Sequence, residues 1–196
     1  MKIDSVIIGQ LQQQIGKNNQ KAFKDLYCLF FARLFNFAIL YVHKKEIAEE
    51  LVNDVMVKVW NKRETITDIQ NFETYLFVAT RNHSLNYLST YSSYHVAVEP
   101  EGRLAKVINL NDPQKELEWK EISFQLDKTV DNLPDQCRTV FKLIREEGLR
   151  YKQVAEILNI SPRTVETQLF RAIKKLDKVI QAYQGKLNER TGKINF

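Results

Sequence analysis

Apolar residues recur at three- and four-residue intervals along almost the whole of this 196-residue chain. That period is the strongest constraint on its fold, because it gathers them on one stripe of an α-helix and would scatter them over both faces of a strand. Only 6 Gly and 4 Pro punctuate it, and no Asn-Gly or similar hairpin signal occurs. The chain is therefore expected to be all-α. Predicted helices cover about 4–15, 20–42, 45–60, 70–88, 114–132 and 134–147, with two more beyond. Between 89 and 113 the period lapses into STYSSYHVAVEPEGRLAKVINLNDP, which is long for a loop inside one compact domain. The expected organisation is a helical domain at 1–90, a flexible linker at 91–113, a second helical domain at 114–184 and a frayed polar tail at 185–196.

Several function classes recede on composition. The run Leu26–Val42, LYCLFFARLFNFAILYV, is short for a bilayer and holds Arg33 and Asn36 in its middle. A central Arg costs about 2.5–3.5 kcal/mol on insertion scales, so a helix buried in a bundle is expected rather than membrane insertion. The N-terminus has no apolar core or cleavage site of a signal peptide. Cys28 and Cys137 lie far apart, and His43, His83 and His95 stand singly. Neither a disulfide framework nor a metal site is expected, no cofactor is indicated, and a reducing cytoplasm fits. A net charge of +5 and a pI near 9.1 are compatible with a polyanionic partner without requiring one.

The stretch YKQVAEILNISPRTVETQLFRAIKKL, Tyr151–Leu176, reads as a short helix, a tight break and a longer basic helix. Ala155 supplies the small residue where two such helices cross, and Asn159 tolerates the positive φ of the turn. Ser161 can cap the second helix and Pro162 suits its first position. Gly148 is expected to end the preceding helix, which is expected to start at Pro134 and to turn Val140, Phe141 and Ile144 inward. Val165, Leu169, Ala172, Ile173 and Leu176 form one inward stripe of the last helix. Arg163, Thr164, Glu166, Thr167, Phe170, Arg171, Lys174, Lys175 and Lys178 are left outward. Arg163 is placed to take a guanine edge and Glu166 a cytosine amino group, while Arg171, Lys174 and Lys175 suit phosphates.

The helix at 70–88 is apolar nearly all round in its first half, with Phe72, Tyr75, Leu76, Phe77, Val78 and Ala79. It is polar in its second, with Thr80, Arg81, Asn82, His83, Ser84 and Asn86. That pattern is expected of a helix buried at one end and presenting a working surface at the other. Phe72, Tyr75, Tyr87, Tyr91 and Tyr94 offer rings and Arg81 a cation, the groups that unpaired bases and their backbone need.

LPDQCRTVFKLIREEGLRYKQVAEILNISPRTVETQLFRAIKKL resembles region 4 of bacterial RNA polymerase sigma factors. EIAEELVNDVMVKVW followed by FETYLFVATRNHSLNYLS resembles their region 2. Two such regions joined by a linker resemble the extracytoplasmic-function (ECF) group of the sigma-70 superfamily, over about residues 20–180. The resemblance implies a non-enzymatic initiation factor that binds core RNA polymerase and promoter DNA. It implies that Arg163, Thr164, Glu166, Thr167, Arg171 and Lys174 face the −35 major groove. Asn71, Phe72, Tyr75, Arg81, Asn82, Asn86 and Tyr87 would meet the separated −10 strand. Asn53, Asp54, Val57 and Lys58 would dock on the clamp coiled-coil of the polymerase β′ subunit, and an anti-sigma factor is implied as a partner. The chain has Glu49-Glu50 where the family often has Glu-Asp, Asn53 where it has Gln, and NYLSTYSS where Arg and Lys are common.

Two rival readings are weaker. A LuxR-like regulator would share the last helices but bring a strand-containing sensor domain in front of them. A metal-dependent nuclease could use Glu46, Glu49, Glu50 and Asp54, but these stand among Lys44, Lys45 and Lys58 as on an ordinary charged helix face.

Overall fold

In the computed structural model the described residues are 4–91 and 113–192, with side chains described for 4–90 and 119–185. The expected linker, with Tyr94 and His95, the side chain of Tyr91, and residues 193–196 of the expected tail lie outside them. The described backbone is all-α. Its helices are α1 (Ser5–Gly16), α2 (Gln20–Val42), α3 (Lys45–Asn61), a 3-10 turn (Ile66–Asp68), α4 (Phe72–Tyr91), α5 (Pro113–Asp131), α6 (Asp135–Arg145), α7 (Tyr151–Leu158) and α8 (Pro162–Gly192). The chain forms two compact units. One takes Met1–Gly102 and Leu143–Pro162, the other Arg103–Lys142 and Arg163–Phe196.

The first unit is built around α2. Asn19 starts the helix by accepting from the Ala22 amide at 3.1 Å, and Asn18, at φ 64°, makes the sharp break from α1. Ala22, Leu26, Phe30, Leu34, Phe37, Ala38 and Val42 then repeat at helical spacing and are buried. They pack against α1, α3 and α4, and Phe37 meets Phe77 of α4 edge-on at 5.3 Å. Each such side chain contributes about 1.5–3 kcal/mol on burial. Along another face of α2, Tyr27, Phe31 and Phe35 stack in succession at 5.1 and 6.1 Å.

By length and composition α2 could cross a membrane. Arg33, the cation within its apolar run, is satisfied by protein instead. Its guanidinium donates to Glu73 at 2.8 Å and to the Glu147 carboxylate at 2.6 Å, with a further bond to the Glu147 carbonyl at 3.2 Å. It also lies over the rings of Phe30 and Phe77, 5.2 and 5.4 Å from their centroids.

Gln12 of α1 is a buried amide that donates to the carbonyls of Ile66 and Ile69, the latter at 2.9 Å. It ties the 3-10 turn, whose Ile66 is buried, to the bundle. Gly16 permits the approach: a Cβ there would meet Thr67 Cγ2 at 3.1 Å.

Helix α7 belongs to the first unit and packs on α4, where Gln153 donates to the buried Thr74 hydroxyl at 3.3 Å. The other end of the same amide accepts from the Arg150 backbone at 2.9 Å, closing the first turn. Gly148 has φ 71° and Asn159 φ 53°, so both residues expected to reverse the chain take the left-handed conformation. Ala155 is buried, and its carbonyl accepts from the Ile160 amide at 3.0 Å.

In the second unit Val130, Leu133, Cys137 and Ala172 form a core cluster with Phe141 and Leu176 packed against it. The structure corrects four expectations along α6 and α8. Pro134 is not inside α6 but caps it, its carbonyl accepting from the Arg138 amide at 2.8 Å. Leu143 is buried on α6, whereas Ile144 is only half-buried. Ile173 is 39% exposed, because the buried stripe of α8 runs through Val165, Leu169 and Ala172 and leaves its neighbour at the margin. Helix α8 itself continues through 185–192, where a tail was expected.

Replacing Gln12 by Ala removes its bonds to the Ile66 and Ile69 carbonyls, leaving the Ile66 carbonyl with only the Ile69 amide, and is expected to cost about 1–3 kcal/mol in denaturant unfolding. Asn159→Val forces a β-branched residue into the left-handed region and is expected to cost about 1–2 kcal/mol by the same measurement, whereas Asn159→Gly should be close to neutral.

Candidate functional site

Three surfaces collect the residues singled out by sequence. The first is the outward face of α8. Pro162 opens the helix directly after Ser161. In the first turn Arg163 and Glu166 are joined at 2.7 Å, with side chains 84% and 53% exposed, and Thr167 donates to the Arg163 carbonyl at 2.9 Å. Thr164 is half-buried, while Thr167, Arg171 and Lys174 are exposed. Phe170, 66% exposed, stands between them. Arg171, Lys174, Lys175 and Lys178 form no ion pair with a described residue. With Gln136 and Gln168, whose amides are bonded at 3.0 Å, they line a groove beside the start of α6. Cys137 lies at its floor and donates to the Gln168 carbonyl at 3.2 Å. Burial pushes this thiol up, against the opposing pull of Lys175 and Arg171.

The second surface is on α4. At 3.6 residues per turn, Asn71, Tyr75, Asn82 and Asn86 share one face, and the exposed or half-buried state of each agrees. Arg81 and Tyr87 lie to either side of that face. The Arg81 guanidinium is 3.4 Å from Asn82 Oδ1 and also bonds the phenol of Tyr41, which burial nonetheless holds above its ordinary pKa. Phe72 departs from the expectation: it is 2% exposed and presents no ring to solvent. It lies in the core with Tyr75 stacked on it at 5.9 Å and 13°, so of the pair only Tyr75 offers a surface. The polar half of α4 is also less outward than its sequence suggests. Thr80 and Ser84 are fully buried, their hydroxyls donating to the carbonyls four residues back at 2.9 Å each.

The third surface is on α3, where Asn53, Asp54, Val57 and Lys58 are contiguous. Asp54 and Lys58 are exposed, Asn53 is half-buried, and Val57 is 56% exposed, an apolar side chain between charged neighbours. Two residues that the sequence did not suggest touch this patch. Tyr27 of α2 places its hydroxyl 2.8 Å from Asn53 Oδ1, and His83 of α4 has Nε2 2.7 Å from Lys58 Nζ. Burial and the Lys58 charge hold the imidazole below its ordinary pKa, with Asp54 acting in the other direction. No spacing rule pairs residues 26 and 25 positions apart, so neither contact was visible in sequence.

Two family models match the chain. Sigma-70 region 2 matches residues 29–93 and Sigma-70, region 4 matches residues 123–176, together more than half of its length. The region 2 match takes in α3 and α4, and the region 4 match takes in the end of α5, α6, α7 and α8 as far as Leu176. Among curated proteins, the chain is 23% identical over 180 residues to the RNA polymerase sigma-H factor of Pseudomonas aeruginosa, covering 88% of this chain and 93% of that one. It is 25% identical over 181 residues to the ECF RNA polymerase sigma-E factor of Escherichia coli strain K12, covering 87% and 93%. Among solved structures, it shares its fold with CnrH in complex with the cytosolic domain of CnrY, at TM-score 0.58, 20% identity and coverage of 89% and 97%. It also shares it with the sigma factor RpoE of Bartonella quintana in complex with the anti-sigma factor NepR, at TM-score 0.62, 24% identity and coverage of 82% and 98%. Both sigma regions, in their family order and on an all-helical frame, establish that the chain belongs to the sigma-70 family of RNA polymerase sigma factors, in its ECF group.

Proposed function

We propose that the three surfaces divide the work of an initiation factor as follows. The α3 patch of Asn53, Asp54, Val57 and Lys58 docks on the clamp coiled-coil of core RNA polymerase. The first turn of α8 then reads −35 base edges through Arg163, Thr164, Glu166 and Thr167, while Arg171 and Lys174 neutralise phosphates. On α4, Tyr75 stacks with an unpaired −10 base, Asn71, Asn82 and Asn86 bond base edges, and Arg81 and Tyr87 flank the strand. Phe72 supports Tyr75 from below. The protein performs no covalent chemistry; nucleotide addition belongs to the polymerase.

The observation that carries this reading is the outward face of α8. Beyond the Arg163–Glu166 pair, its cations Arg171, Lys174, Lys175 and Lys178 lack acidic partners among the described residues, and its first turn follows a left-handed turn at Asn159. A face of that kind, on the second helix of such a unit, fits the major groove. One small module supplies few contacts, so the chain alone binds DNA weakly and gains promoter choice on the polymerase. Two of the structural relatives were solved in complexes, one with the cytosolic domain of CnrY and the other with the anti-sigma factor NepR, which supports an anti-sigma partner for this chain. A cytoplasmic location follows from the polymerase it serves.

Arg163→Ala should relax discrimination at one −35 position by about 1–3 kcal/mol, read as transcription from promoter variants, while leaving polymerase binding at wild-type level. Equal loss of both would contradict the assignment. Asp54→Lys reverses a charge on the docking patch and should weaken polymerase binding about tenfold or more, measured with purified core enzyme and no promoter.

A further inference from the structure

We infer that Tyr27 and His83 are positioning residues for polymerase docking, each orienting one polar side chain of the α3 patch from a neighbouring helix. The inference rests on the reading of that patch as the docking surface.

A carboxamide can present either of its ends, and the two ask for opposite partners. Tyr27 decides the matter for Asn53. Its hydroxyl lies 2.8 Å from Oδ1, and burial, Glu49 and Cys28 all raise the phenol above its ordinary pKa, so the O–H is present as a donor throughout the physiological range. With Oδ1 bonded to Tyr27, the amino group of Asn53 is left as the donor end for a partner. The Tyr27 ring is itself held by its stack on Phe31 at 5.1 Å.

Lys58 has a different difficulty. Its four-carbon stem is exposed and free to sample many rotamers. An ammonium only donates, so the 2.7 Å contact with His83 Nε2 requires a neutral ring accepting at that nitrogen. The contact holds Lys58 in one place and leaves two of its N–H groups for a partner. The charged groups that bear on the ring are Lys58 and Asp54, both on α3. The patch so ordered offers donors at Asn53 and Lys58, an acceptor at Asp54 and an apolar side chain at Val57. It fits a helical surface carrying carbonyl or carboxylate acceptors, one cation and one apolar side chain.

The His83 contact gives docking a defined pH response. Its pKa lies below the ordinary 6.5, so the neutral, accepting form prevails at neutral pH. As pH falls through the lowered pKa, the ring gains a proton, loses its lone pair at Nε2 and repels Lys58. Affinity is then flat around neutrality and declines only in acid.

The test uses the full chain and purified core polymerase, with affinity measured at about pH 7.5 and at about pH 5, the acid end of the range in which histidine titrates. Tyr27→Phe keeps the stacked ring and should weaken binding about fivefold at both pH values, the worth of one neutral hydrogen bond. His83→Ala should weaken binding by a similar factor at the higher pH and show no further loss in acid beyond that of the polymerase itself. His83→Gln restores an acceptor that does not titrate, and should bind like wild type at the higher pH while escaping the wild-type acid loss. Asp54→Lys serves as the reference. If Asp54→Lys weakens binding but the Tyr27 and His83 variants match wild type at both pH values, the patch stands and the positioning roles are overturned. If Asp54→Lys binds normally, the docking surface lies elsewhere and both readings fall.

Discussion

The fold of the first unit depends on how one cation is kept inside an apolar helix. Arg33 sits in the middle of α2, and a guanidinium cannot be left there without partners, since an unpaired buried charge costs several kcal/mol. The chain meets that demand with two carboxylates from distant segments, Glu73 and Glu147, and with two aromatic faces, Phe30 and Phe77. Such a cluster adds little net stability over a well-packed apolar replacement. It ties α2 to α4 through Glu73 and to the segment after α6 through Glu147, in the rotation that turns the stripe through Leu26, Phe30 and Leu34 to the core. The Tyr27 face then falls beside Asn53 on α3.

That rotation links packing to function. The helices α3 and α4 each pack on α2 and on each other, so the α3 patch and the Tyr75 face of α4 are two exposed sides of one packed set. Within it, α4 enters the bundle through Phe72, Leu76 and Phe77 in its first half, and through Thr74, Thr80 and Ser84, small polar residues that are fully buried. Bonding Thr80 and Ser84 to carbonyls on the preceding turn removes the cost of hiding their hydroxyls. Their small size lets α4 lie close to its neighbours while Tyr75, Asn82 and Asn86 remain available on the other side.

Much of this was legible in the sequence, for local reasons. Helix positions follow from the apolar period, and the sharp turns follow from Gly148 and Asn159, whose backbone preferences are properties of single residues. The motifs of the two sigma regions carried the family. The order of the candidate faces was legible too, because spacing alone puts Asn71, Tyr75, Asn82 and Asn86 on one side of a helix. What escaped depends on contacts between helices. Phe72 looks the same in sequence whether it stacks a base or fills a core; only the neighbours that bury it tell these apart. Thr80 and Ser84 were expected to face outward because they are polar, yet a hydroxyl that can bond its own backbone is not bound to face water. Ile173 continued an apolar pattern one position past the width that the core of the second unit accepts. Tyr27 and His83 touch residues more than twenty positions away, and no period connects them.

The two cysteines differ in a way that has a practical consequence. Cys137 is enclosed, bonded to a backbone carbonyl and held protonated by its surroundings, so it is a poor nucleophile at neutral pH. Cys28 is exposed on α2, next in the chain to Tyr27. Maleimide chemistry on the unaltered folded chain will therefore attach a dye selectively at Cys28, giving an optical reporter beside Tyr27 without any engineered thiol.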